Sequence, residues 1–208
     1  GELKRAVSYY VDESEIAKNG WYYENGLKFY FINDVKQTDI RDIIGNTGNY
    51  QIWLNRACCT ITIYTWDDAT GGYNIPVCAF ACSVGLPGME TPAGWFTLKE
   101  KYRWKELMGP SWGQYCSRVT YDGIYFHSVA GNGTNSYNLS SFDYNNLGSP
   151  ASHGCIRLCV RDAKWIYDYV PEGSMICIYD GNDPGPLGKP ATIKIPDGQT
   201  WDPTDPNI

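Results

Sequence analysis

At 208 residues, 43% apolar and 15% aromatic, the chain can bury one well-packed domain plus a small appendage, which excludes wholesale disorder. A formal charge of −6 without any Lys/Arg run excludes nucleic acid and an anionic membrane surface as obligate partners, since both need clustered cations. No apolar run reaches the roughly 18–20 residues that span a bilayer, and the longest, 76–84, reads as a buried strand.

In chain order, residues 1–46 carry most of the polar and charged N-terminal material. Within them, Gly20-Trp21-Tyr22-Tyr23-Glu24-Asn25-Gly26-Leu27-Lys28-Phe29-Tyr30-Phe31 reads as a β-hairpin, because two aromatic runs flank an Asn-Gly turn. Asn46-Thr47-Gly48 marks a boundary. Strands are then predicted over 50–54, 59–66, 73–84, 118–121 and 124–129, separated by turns such as Asp67-Asp68-Ala69-Thr70-Gly71-Gly72. Many short strands at such spacing predict a sandwich or barrel-like sheet. Residues 131–150, rich in Asn, Ser, Gly and Tyr, read as a long loop of the kind that often forms a substrate lid. A helix is expected over 162–170, with Asp162 as cap and Ala163, Ile166, Tyr167 and Val170 on one face. Pro171 and Gly173 stop it; a last strand at 175–179 and an irregular Pro/Gly-rich tail, 181–208, follow.

Chemistry concentrates in Ser152-His153-Gly154-Cys155-Ile156-Arg157. The chain has two histidines: His153 adjoins Cys155, and His127 lies in Tyr125-Phe126-His127-Ser128. A cysteine needs a neighbouring base or positive charge to act as a thiolate at neutral pH, and imidazole suits that task. His127 is the expected general base and acid, with a backbone carbonyl orienting its Nδ1. Gly154 permits close approach of backbone to a substrate carbonyl, so the Gly154 and Cys155 amides are natural oxyanion donors. Arg157 could grip a substrate carboxylate by a forked contact, or pair with a nearby acid.

Eight cysteines occur, and with Cys155 as nucleophile an odd seven remain, so at least one more is free or paired outside the chain. Disulfides among Cys116, Cys159, Cys177 and the 58–82 group, and burial as small hydrophobes, both stand open. A zinc site made from His127, His153, Cys155 and Cys159 is the chemical rival, although the spacing matches no common zinc module.

His-Ser, a loop and then Ser-His-Gly-Cys resemble the L,D-transpeptidase (YkuD-type) catalytic domain. Thr91-Pro92-Ala93-Gly94-Trp95-Phe96 is similar to that family's Thr-Pro-x-Gly-x-Phe segment, and Asp162-Ala163-Lys164-Trp165-Ile166-Tyr167-Asp168 to its post-motif helix. The resemblance covers about 49–180 and implies a mainly β fold: a sandwich of mixed sheets with one helix after the catalytic cysteine, plus the N-terminal hairpin region. The implied division is 1–48, 49–180 and 181–208. It implies Cys155 as nucleophile and His127 as base, with the Ser128 carbonyl orienting the imidazole and Ser152, His153 and Gly154 shaping the pocket. No cofactor or metal is implied. The implied substrate is a peptidoglycan tetrapeptide stem, attacked at the diamino acid–D-alanine bond, with acyl transfer to an amine (a 3→3 cross-link) or, in a carboxypeptidase, to water. Tyr102 and Tyr115 are candidates for assisting at the oxyanion. The implied location is the cell wall, after export, any signal or anchor lying outside a sequence that opens at Gly1. The 24 residues between His127 and Ser152 exceed the family's usual span.

The hairpin, over 20–37, resembles one choline-binding-type cell-wall-binding repeat, in which aromatic cages hold quaternary ammonium groups by cation–π attraction. Contact with a wall polymer is one expectation; a small packing hairpin is the other. A wall-binding module without a working catalytic site is a third reading of the whole chain.

Overall fold

The computed structural model describes residues 16–208; the first 15 residues of the N-terminal region lie outside the described residues. Asn25 and Gly26 take positive φ (52° and 81°), the geometry of a two-residue turn matched to strand twist, and join β1 (Gly20–Glu24) to β2 (Leu27–Ile32). β3 (Val35–Lys36) completes this three-stranded sheet. Phe29 and Phe31 on its inner face pack with Leu187 and Ala79. Tyr23 donates to Asp67 Oδ2 at 2.7 Å, so the hairpin is fastened to the body.

A five-stranded sheet runs in the order β6 (Gly72–Ala81), β5 (Thr60–Asp67), β4 (Tyr50–Asn55), β12 (Met175–Tyr179), β7 (Gly94–Thr97). A four-stranded sheet runs β11 (Ile156–Leu158), β10 (Tyr125–Ser128), β9 (Ser111–Arg118), β8 (Lys101–Leu107). Both sheets mix parallel and antiparallel pairs: β10 runs parallel to β11 and β12 parallel to β4. Ile52, Leu54, Ile61, Ile63 and Ile176 from one sheet and Phe126, Ile156 and Leu158 from the other share one buried core. α3 (Val160–Tyr169) seals it with Val160, Ala163 and Ile166. The expected mainly β fold of mixed sheets is present.

Three features differ from expectation. The strand expected over 118–121 ends at Arg118, because Val119 and Thr120 both donate to the Ile124 carbonyl and close a tight loop. β8 and β9 before Arg118 are not among the expected strands, and β7 overlaps the 91–96 segment, for which no strand is expected. α3 begins at Val160 with Cys159 as its N-cap, and Asp162, expected as the cap, instead pairs with Arg161 inside the first turn. A short helix, α1 (Arg41–Ile44), lies between the hairpin and the body. No helix among the described residues is long and apolar enough to cross a membrane.

Candidate active site

β10 and β11 are parallel with His127 opposite Arg157 and Phe126 opposite Ile156. Cys155 lies immediately before β11, two residues ahead of Arg157, and opens on the side of the sheet that carries His127. The two side chains accordingly line one cleft of about 390 Å³, together with His153, Ser152 and Arg157. The cleft is walled by Lys105, Leu107 and Met108 from the β8–β9 hairpin and by Gly123 and Ile124 from the loop before β10. The lid expected in 131–150 is not there: those residues do not line the cleft. They hold the helix α2 (Ser141–Asn145), anchored by buried Tyr144 and Leu147, and Leu139 bonds to the tail at Thr200.

His127 is 3% exposed, and its Nδ1 lies 2.5 Å from the Ser128 carbonyl. A carbonyl can only accept, so the hydrogen sits on Nδ1 and Nε2 is left as the basic atom. Burial pushes the imidazole down to about 4; the Ser128 carbonyl opposes this, and the Arg157 charge adds to it. Burial also raises the half-buried Cys155 thiol, against smaller opposing effects of the Tyr125 N–H and Arg157. The resting pair is therefore a neutral thiol and a neutral imidazole. Cys155 Sγ donates to the Gly123 carbonyl at 3.4 Å, not to the imidazole.

Gly154 adopts φ +126°, and a Cβ there would meet Ile124 Cδ1 at 3.0 Å, so only glycine fits without strain. Its amide, expected to face the oxyanion, donates instead to Ser152 Oγ at 3.1 Å, and Ser152 Oγ donates to the Cys155 carbonyl at 2.6 Å. Thr91 Oγ1, fully buried, donates to the Gly154 carbonyl at 2.7 Å and accepts from Gly85 N at 3.0 Å. Thr91 thereby sets the loop before the thiol, a role that the Thr-Pro-x-Gly-x-Phe segment does not spell out. Arg157 contacts the Ala151 carbonyl at 3.4 Å and has no acidic partner among the described residues.

Tyr102 and Tyr115 do not line the cleft: the Tyr102 hydroxyl donates to Glu100, and Tyr115 is buried against Tyr167 with Asn207 on its hydroxyl. The four proposed zinc ligands do not converge, because Cys159 is buried with Val129, Tyr144, Leu147 and Ile195, away from the cleft. All eight cysteines are free thiols. A second cleft of about 430 Å³ near Arg41, Arg161 and Lys189 contains no cysteine–histidine pair.

Residues 49–178 match the YkuD family model, the L,D-transpeptidase catalytic domain. The chain is 35% identical over 91 residues to YciB of Bacillus subtilis, covering 42% of this chain and 46% of that protein. It is 31% identical over 107 residues to L,D-transpeptidase 1 of Mycobacterium tuberculosis, covering 45% of this chain and 39% of that protein. The chain thus spans less than half the length of these curated relatives. A solved L,D-transpeptidase from Mycobacterium smegmatis shares the fold at a TM-score of 0.51 and 23% identity, over 62% of this chain and 58% of that one. The match across the sandwich and both histidine segments identifies the chain as a member of the YkuD family of L,D-transpeptidase catalytic domains.

Proposed function

We propose that the chain is a cell-wall cysteine acyltransferase that cross-links peptidoglycan stems. The observation that carries this reading is His127 on β10 and Cys155, immediately before the parallel β11, lining one cleft, with Nδ1 fixed on a carbonyl. A tetrapeptide stem would lie along the cleft with the carbonyl of its third residue at Sγ. Turning from the Gly123 carbonyl, the thiol passes its proton to His127 Nε2 as sulfur bonds to that carbonyl carbon. The tetrahedral intermediate collapses, the C–N bond to D-alanine breaks, and His127 returns the proton to the leaving amine. An acceptor amine then attacks the thioester, gives its proton to His127, and releases Cys155 as the thiol. The Ser152–Gly154 loop, held by Thr91, keeps Sγ aimed, and unpaired Arg157 is suited to a stem carboxylate.

Water as acceptor would make the same site an L,D-carboxypeptidase. The test is incubation with a disaccharide tetrapeptide followed by mass spectrometry. Dimers and free D-alanine are expected; tripeptide alone would assign hydrolysis, and neither product would overturn the acyl-transfer reading.

The proposed division is a hairpin region over 1–48, a catalytic body over 49–180 and a tail over 181–208. Work in the cell wall requires export, and contact with wall polymer through the hairpin is part of the proposal. Trp21, Tyr22 and Tyr23 are each more than a third exposed, but Lys28 Nζ already sits 5.1 Å over Trp21 and 5.7 Å over Tyr23. A ligand cation would have to displace it. Sedimentation with purified cell walls is expected to fall several-fold in Trp21→Ala/Tyr23→Ala; unchanged sedimentation would leave the hairpin a packing element.

A further inference from the structure

The chain ends in Trp201-Asp202-Pro203-Thr204-Asp205-Pro206-Asn207-Ile208, which forms neither helix nor strand. Both of its carboxylates are nonetheless buried, Asp202 at 1% and Asp205 at 4% exposure. A buried carboxylate is costly unless hydrogen-bonded on every side, so its partners show what the segment is built to hold.

Asp202 Oδ2 accepts from the Val160 amide at 2.7 Å, and Arg161 N donates to Thr204 Oγ1 at 3.1 Å. These are the first two residues of α3, whose own N-cap residue, Cys159, makes no side-chain cap bond. The tail therefore supplies the cap for the helix that follows β11 and Cys155. Asp205 reaches the other partner. Its Oδ2 accepts from Gln114 Nε2 at 2.9 Å, while its Oδ1 accepts from the amide and side chain of Asn207, each at 2.8 Å. The backbone N–H of Gln114 donates to Ser128 Oγ at 2.8 Å, on the residue whose carbonyl holds His127 Nδ1. The neighbouring Gly113 lies so close that a Cβ there would be 3.1 Å from that nitrogen.

We propose that Asp202 and Asp205 are positioning residues, and that the tail clamps the nucleophile's strand and the base's strand at a fixed separation. This rests on the reading of Cys155 and His127 as nucleophile and base. The two arms are distinct: Asp202 acts through α3 and β11, Asp205 through Gln114 and Ser128.

In the full chain, Asp205→Ala is expected to lower kcat by about 10-fold to 10²-fold, the scale of a misplacement near 1 Å, with KM little changed. The His127 imidazole resonances should shift and titrate at higher pH as the ring loosens; with two histidines in the chain, assignment is direct. Asp205→Asn should be impaired as well, and Asp205→Asn/Gln114→Glu should recover activity, because the exchange restores one hydrogen bond with donor and acceptor reversed. This pair decides the matter if the alanine variant does not fold. Wild-type kcat and wild-type His127 resonances in Asp205→Ala, or no recovery in the exchanged pair, would overturn the clamp. Failure of the underlying reading looks different: turnover would then survive Cys155→Ala, while the His127 resonances would still respond to Asp205.

Discussion

Cys155→Ala is expected to abolish both the acyl adduct and D-alanine release, lowering turnover by a factor on the order of 10⁴ or more, as for other activated nucleophiles. The case rests on eliminating the other seven thiols. Six of them are buried. Burial pushes Cys116 and Cys159 up to about 12 and Cys82 well above its usual range, where almost no thiolate exists at neutral pH. Cys58 is half-buried like Cys155, but it donates to the Gly181 carbonyl and does not line the cleft that both histidines share. Cys155 alone combines access, a base lining the same cleft and a loop held by Thr91. Cys155→Ser should be nearly as inactive, since a hydroxyl is far harder for His127 to deprotonate. Intact-mass measurement after incubation with stem peptide is the check. An adduct and turnover that persist in Cys155→Ala would move the chemistry to another residue.

Much of this arrangement was legible because local signals and the global fold agree. Asn25-Gly26 demanded its hairpin, and 50–54 and 175–179 read as strands. The Ser-His-Gly-Cys string pointed to the thiol, and His127-Ser128 to a ring held by a neighbouring carbonyl. What was not legible depends on partners far along the chain. Residues 131–150 look like a lid in composition, yet Tyr144 and Leu147 anchor them in a second apolar cluster with Ile195. The cleft wall comes instead from the β8–β9 hairpin, whose half-buried, mixed residues carry little strand periodicity. Asp162 resembled a helix cap because it precedes an apolar stripe; the cap comes from Asp202, 42 residues after its partner Val160 in the sequence. Gly154 was read as an oxyanion donor from its position, but Ser152 Oγ takes that amide. Such bonds leave no local trace.

His127→Asn is expected to lower kcat/KM by about 10²-fold to 10⁴-fold, the usual contribution of a general base, and the pH profile carries the sharper test. In the folded protein the imidazole titrates at about 4, against an ordinary 6.5, because burial and Arg157 disfavour its charge. Cys155 and Arg157, together with His153, Lys105, Glu106 and Asp122, line the same cleft as the imidazole. The base thus stays neutral and competent well below pH 6.5, so the acid limb of kcat/KM should fall near pH 4–5. Arg157→Leu should move that limb upward by removing one cause of the depression. The same titration acts on stability. Between pH 6.5 and 4 the unfolded chain binds this proton more tightly than the folded one. The contribution is therefore complete above 6.5, declines as pH falls through that window, and is lost below about 4, for a total of about 3 kcal/mol. Urea unfolding at pH 7 and pH 4.5 should show that loss in the wild type and a smaller one in His127→Asn. An acid limb near 6.5, with equal pH dependence of stability in both proteins, would mean that the ring is hydrated and free, and that the buried, carbonyl-anchored base does not operate.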